Sequence, residues 1–204
     1  MEIHVSDPHP WVLKEQVGLV WSWWKHDPLP VLPSIATLQV ETTDDLDFIV
    51  DLVRILRSDA IARLEAGHRL YIATIEQKPV AYGWAASTKA AFGSPSVHFQ
   101  VPATDRYLYH FVTFLPWRGQ GIYPRLLQAI ILRELEHHER FWIIHQITNI
   151  SSQRGIARAG FHIANRVYRR SDSGLALKAA KDAQRASEGA NLLGLPLVLD
   201  NHPL

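Results

Sequence analysis

The residues best suited to chemistry lie in the run Thr113-Phe114-Leu115-Pro116-Trp117-Arg118-Gly119-Gln120-Gly121-Ile122-Tyr123-Pro124, between a strand-like and a helix-like segment. Gly119 and Gly121 allow positive φ or close backbone approach, and Pro124 is tolerated only in a first helical turn, which sets the helix start near Ile122. The amides from Gly119 to Tyr123 then have no intrahelical acceptor. Joined to the positive end of the helix dipole, they form a cradle for an anion, most naturally a phosphate or pyrophosphate, with Arg118 adding charge at its mouth. Tight packing also requires glycine pairs, so this pair alone decides nothing. A second block stands after the next strand: Asn149-Ile150-Ser151-Ser152, then Ile156, Arg158, Gly160 and Phe161. Asn149 and Ser152 suit a helix cap, which is their plain reading.

The segment leading into the cradle, Tyr107 to Phe114, holds the candidates for orienting an acceptor or relaying a proton: Tyr107, Tyr109 and His110, with Asp105 and His145 in reserve. Strand alternation puts Tyr107 and Tyr109 on the face of Phe111 and His110 on the opposite one. The competing use of such aromatics is to line a pocket or fill a core. The chain has no cysteine, which removes a thiol nucleophile, disulfides and thiolate zinc sites. Among the 11 histidines no pair has the spacing of a zinc helix motif, and the adjacent His137 and His138 suit a helix C-terminus, so no metal is expected.

The elements that must position these groups follow from apolar periodicity. Pro28, Pro30 and Pro33 stop any helix and mark off residues 1–33, a tryptophan-rich extension read as helical from Val17, Val20, Trp21 and Trp24. Residues 34–179 carry the regular pattern. Ile35 to Val40 reads as a strand, with Thr43, Asp44 and Asp45 capping a helix through Leu46, Ile49, Val50, Val53 and Leu56; a second helix, Ala60 to Ala66, stops at Gly67. Leu70 to Ile75 and Val80 to Ser87 form an antiparallel hairpin. A long connection from Lys89 to Asp105 follows, then the aromatic strand, a helix with Ile122, Leu126, Leu127, Ile130, Ile131 and Leu135 on one face, and the strand Phe141 to Ile147. Strand, crossover helix and strand make the two strands parallel. A short helix, Ser151 to Ala159, leads to a hairpin of Phe161 to Arg170 and Leu175 to Ala179; residues 180–204 are expected to be an exposed alanine-rich helix and a tail.

The two glycine- and asparagine-containing blocks together resemble the GCN5-related N-acetyltransferase (GNAT) superfamily, over roughly Ser34 to Ala179. Its acyl-CoA motif is matched at Arg118, Gly119, Gln120, Gly121 and Ile122, and departs at Tyr123, a bulky ring where a small residue is usual. Its later signature is matched at Asn149, Ser152, Gly160 and Phe161. The resemblance implies an α/β (α+β) fold with a mixed central sheet, whose parallel central strands splay apart between flanking helices. It implies pantetheine lying in that gap against the backbone of Phe111, Val112 and Thr113, the pyrophosphate on Arg118 to Tyr123, and Asn149 and Ser152 facing the pantetheine from the other side. The implied reaction is direct transfer of an acetyl group from acetyl-CoA to an amine of a small molecule or peptide, with an amide at Phe111 or Val112 holding the oxyanion. The glutamate and tyrosine that many members use as base and acid are replaced by Tyr107 and Ile156, so a catalytically silent acyl-CoA-binding module is the alternative. The same resemblance puts the Lys89 to Asp105 connection beside the acceptor as a lid.

The rest of the composition narrows the setting. The 204 residues fit one domain with extensions, and 21 basic against 20 acidic side chains leave a formal charge of +1, too little to attract nucleic acid or anionic lipid. No stretch is long enough to span a membrane and the start lacks the pattern of a secretory signal, so a cytoplasmic protein is expected. Residues Trp11 to Trp24 hold four of the seven tryptophans. They are expected to pack on the domain or on a second subunit in a homodimer, with an adaptor surface as the further alternative.

Overall fold

The computed structural model of the chain describes residues 11–93 and 96–199. Met1 to Pro10, Ser94, Pro95 and Asp200 to Leu204, which carry the expectations about the chain start, part of the long connection and the tail, lie outside the described residues. In chain order the elements are β1 (Leu13–Trp24), β2 (Leu38–Thr43), α1 (Leu46–Val53), α2 (Arg57–Glu65), β3 (Arg69–Ile75), β4 (Lys78–Ala86), β5 (Lys89–Phe92), β6 (Val97–Gln100), β7 (Asp105–Thr113), α3 (Ile122–Glu134), β8 (Arg140–Gln146), α4 (Ile150–Ala159), β9 (His162–Arg170), β10 (Leu175–Ala179), α5 (Ala183–Leu193) and β11 (Leu197–Val198). Nine strands form one mixed sheet in the order β11-β10-β9-β1-β8-β7-β4-β3-β2.

Local chemistry places several boundaries. The Asp45 carboxylate accepts from the Phe48 amide at 3.0 Å and caps α1. Gly160 ends α4 at φ 101°, in the left-handed region open to glycine. The parallel pairing of β7 with β8 is as expected, but it is short: it runs from Asp105 opposite Arg140 to Leu108 opposite Ile143. Beyond that point β7 continues to Thr113 beside β4, and β8 to Gln146 beside β1, without pairing to each other, and the sheet opens into a wedge.

Two terminal expectations are corrected. Residues 13–24 are not helical: they form β1, antiparallel to β8 on one side and β9 on the other. Leu19, Trp21 and Trp23 enter the core beneath α3 and α4, whereas Val20 enters the core beneath α5. A strand covered on both faces reads as a continuous apolar run, and the i, i+3, i+4, i+7 spacing of Val17, Val20, Trp21 and Trp24 imitates a helical stripe. With Trp21 5% and Trp23 2% exposed, these rings are not a surface for an adaptor partner. The C-terminal helix α5 is not exposed either. Ala186, Ala190, Leu192 and Leu193 are buried, and Gly189 lets α5 approach β9 so closely that a Cβ there would meet the Asn165 side-chain oxygen at 2.1 Å.

The long connection also has structure of its own. β5 and β6 make a two-stranded ribbon, and Phe99 from it packs edge-on against Tyr107 at 5.0 Å. No helix among the described residues is long and apolar enough to cross a membrane.

Candidate functional site

The site is built where β7 leaves β8. Opposite Gly83 of β4 the ladder slips, so that His110 and Phe111 face one residue, and His110 adopts φ 54°. This bulge changes which way the strand presents its side chains. Phe111 turns to the α3 side beside Leu108 rather than sharing the face of Tyr107 and Tyr109, a correction to the alternation inferred from sequence. Its ring lies over Gly83, where a Cβ would come within 2.1 Å.

After β7, a 3-10 turn at Leu115–Trp117 leads into the cradle. Gly119 and Gly121 take φ 78° and 74°, and Gly121 is the N-cap of α3. The amides from Gly119 to Tyr123 have no hydrogen-bond acceptor among the described residues. The Arg118 Nε donates to the Thr113 carbonyl at 2.9 Å, which ties the turn to the end of β7. Across from it, Asn149 caps α4 by accepting from the Ser152 amide at 3.0 Å, so the helix-cap role read from sequence is present. Between these two helix starts lies a cleft of about 610 Å³. It is lined by Phe111, Val112, Thr113, Arg118, Gly119, Gly121, Ile122, Tyr123, Asn149 and Ser152, and by Trp117, Arg154 and Arg158.

No protein-family model and no curated protein matches this chain. Solved structures do. A GNAT-family acetyltransferase from Colwellia psychrerythraea superposes with a TM-score of 0.52 at 19% identity, over 74% of this chain and 54% of that one. The fold is that of the GCN5-related N-acetyltransferases. A GCN5-related N-acetyltransferase from Kribbella flavida matches at 12% identity and TM-score 0.47, over 76% of this chain and 57% of its own. An aminoglycoside acetyltransferase from an uncultured soil metagenomic sample matches at 16% identity and TM-score 0.47, over 60% of this chain and 87% of its own. This chain thus spans only 54% and 57% of the first two.

Within the GNAT fold, most of the residues singled out from sequence meet at the cleft. Gln120 does not line it; its side chain turns back and donates to the Pro116 carbonyl at 3.1 Å. Tyr123 fills the space near the cradle. Its ring lies 5.3 Å from that of Phe111, its hydroxyl is 3.3 Å from the Ser152 hydroxyl, and a Cβ at Gly155 would strike the ring at 2.3 Å. Burial raises the Tyr123 pKa, so the phenol stays neutral.

A second cavity of about 190 Å³ occupies the splay itself, between Tyr109, His110 and Phe111 of β7 and Ile143 to Gln146 of β8. It shares Phe111, Tyr123, Asn149 and Ser152 with the cleft, so the two adjoin. The Tyr109 hydroxyl is 2.7 Å from His68 Nδ1, and His68 Nε2 is 2.9 Å from the Lys89 carbonyl. A carbonyl only accepts, so Nε2 carries the proton and the Tyr109 hydroxyl donates to Nδ1. Burial pushes the Tyr109 phenol up to about 12. His110 Nδ1 accepts from Arg63 at 3.0 Å, and Arg63 lies over the Trp84 and Tyr109 rings. Burial first, and then the Arg63 charge, lower the His110 pKa.

Tyr107 reaches neither cavity. Covered by Phe99 and 3% exposed, it belongs to the core beneath α5. Asp105 likewise serves structure, accepting from Arg140 Nε at 3.0 Å and Trp142 Nε1 at 2.7 Å. Sequence reasoning overlooked the charge that Arg154 and Arg158 bring to the cleft. Their i, i+4 spacing after a cap residue puts both on one helix face, and that signal was available. No cluster of metal-ligating side chains occurs among the described residues.

Proposed function

We propose that the chain is an acetyl-CoA-dependent N-acetyltransferase acting by direct transfer to an amine. The observation that carries this reading is the row of unpaired amides from Gly119 to Tyr123 at the start of α3, opening on a cleft that also holds Arg118, Arg154 and Arg158. Donors of this kind with three guanidinium groups fit a diphosphate-bearing ligand, and an apolar or singly charged ligand would leave them unpaid for their desolvation. Gly119 to Tyr123 would hold the diphosphate, and the backbone of Phe111 to Thr113 would align the pantetheine along the splay. Asn149 and Ser152 would close the other wall.

A thioester supplies the activated acetyl group. The chain must then bring the amine to it, keep water away and accept a proton. A primary amine has a pKa near ~10.4, so deprotonation at pH 7 costs about 4–5 kcal/mol and a positioned base helps. A backbone amide at Phe111 or Val112, beside the bulge, would hold the developing oxyanion. Orientation of both reactants supplies much of the remaining acceleration.

A second reading, an acyl-CoA-binding module without turnover, is favoured by one observation. Tyr107 and Ile156, at the positions where the family resemblance implies a base and an acid, are both buried in core, at 3% and 0% exposure. Calorimetry with CoA, followed by a thiol-release assay with acetyl-CoA over a panel of primary amines, separates the two. Binding with amine-dependent thiol release supports the transferase. Binding without release on any amine supports the silent module, and absence of CoA binding refutes both.

A further inference from the structure

We propose that His145 is the group that takes the proton from the acceptor amine, an assignment that rests on the acetyltransferase reading above. His145 stands on β8 two residues beyond its last pairing with β7, and it lines the splay cavity together with Tyr109, His110, Phe111 and Tyr123. Its Nδ1 lies 2.7 Å from the Gln146 carbonyl oxygen. That oxygen can only accept, so Nδ1 carries the proton and Nε2 carries the lone pair. Nε2 is buried with no hydrogen-bond partner among the described residues, although His145 as a whole is 7% exposed. Folding tolerates few such orphans, and among the described residues that carry one only His145 lines this cavity.

The neighbouring ring groups of this cavity are already committed. Tyr109 donates its hydroxyl proton to His68. The His110 Nδ1 lone pair is taken by Arg63, and the Tyr123 hydroxyl is shared with Ser152. Trp21 of β1, its ring 6.1 Å from that of His145 at 30°, backs the imidazole. Among the described residues, the titratable groups lining the cavity with His145 are Tyr109 and His110 on β7 and Tyr123 on α3, and β1 and α4 bring none. Burial lowers the His145 pKa, partly offset by the Gln146 carbonyl, so the ring remains neutral at the pH where an acceptor must be deprotonated.

The step balances without another reagent. The amine nitrogen lone pair forms the C–N bond, the C–S bond breaks, and the sulfur leaves with its electron pair. The proton shed by nitrogen goes to His145 Nε2, from which it passes to the sulfur or to solvent.

The test uses the full chain, CoA, acetyl-CoA and the amine panel. His145→Gln is expected to bind CoA within about twofold of the parent and to lose roughly 10²–10³-fold in kcat. It is also expected to lose the acid limb of kcat/KM that the parent shows, and imidazole is expected to restore turnover to His145→Ala. A folded His145→Gln that keeps the parental kcat and acid limb overturns the assignment while leaving the acetyltransferase reading intact. Absence of turnover in the parent chain overturns both. Nitrogen NMR of the parent imidazoles gives a readout that survives misfolding of the variants. His145 should appear as the Nδ1–H tautomer, with Nε2 perturbed on adding CoA, and an Nε2–H tautomer overturns the proposal.

Discussion

Replacing Gly121 with alanine tests the cradle directly. Gly121 has φ 74°, and a Cβ there would lie 2.6 Å from Arg125 Nη1. The left-handed backbone costs a non-glycine residue about 1–2 kcal/mol. The contact falls on the end of a flexible side chain, so Arg125 moves and gives up its bond to the Gly121 carbonyl, at about 0.5–1.5 kcal/mol. A loss of this size lowers the melting temperature by roughly 5–10 °C in a chain of this length and leaves it folded. Shifting the turn disturbs amides that would bond a charged diphosphate, each worth about 1.5–3 kcal/mol, so CoA should bind about 10- to 150-fold more weakly. Gly67→Ala is the control. It has the same φ of 74° and a Cβ contact of 2.9 Å with Ser87 Oγ, but it lies outside the cleft. It should lose stability alike and keep CoA affinity. The assay is calorimetric titration with CoA beside thermal melts of all three proteins. A folded Gly121→Ala that binds CoA within twofold of the parent refutes the cradle.

Arg154→Ala/Arg158→Ala should weaken CoA binding and flatten its dependence on salt, because two of the three cleft guanidinium groups are gone; an unchanged salt slope in calorimetry would count against their role. Trp23→Ala should cost about 3–5 kcal/mol in a urea melt, since the ring is 2% exposed and packs against Phe141 in the sheet centre. A loss below 1 kcal/mol would mean that β1 is dispensable. Stability should also fall with acid. His68, His110, His138 and His145 all have pKa values lowered by burial, so the unfolded chain binds protons first as pH drops. Their contribution is complete above the unfolded value near ~6.5 and is lost as pH falls through the folded values. The urea midpoint at pH 5 should therefore lie below that at pH 7.5, and an equal or higher midpoint contradicts the neutral burial of these rings.

The cradle is legible in the chain because everything that makes it is local. Left-handed glycines, a proline in the first helical turn and the free amides of a helix start are properties of a dozen consecutive residues. The parallel pair around it is legible for a related reason: strand, helix and strand in sequence leave one handedness and one relative direction. The reading fails where neighbours come from far away. β1 is a strand because β8 and β9 close over it from both sides, and nothing within residues 13–24 distinguishes that from an apolar helix.

Proton chemistry depends on long-range contacts in the same way. Tyr107 is withdrawn from the site by Phe99 of the ribbon, and the bulge opposite Gly83 turns Phe111 to the other face. His145 is left with an uncommitted lone pair because Arg63 of α2, His68 just before β3 and Ser152 of α4 occupy His110, Tyr109 and Tyr123 around it. A short segment carries its own dihedral preferences and unpaired amides, so the primary structure announces an anion cradle. Burial, tautomer and free lone pairs arise from which distant side chains arrive, and these exist only in the folded molecule.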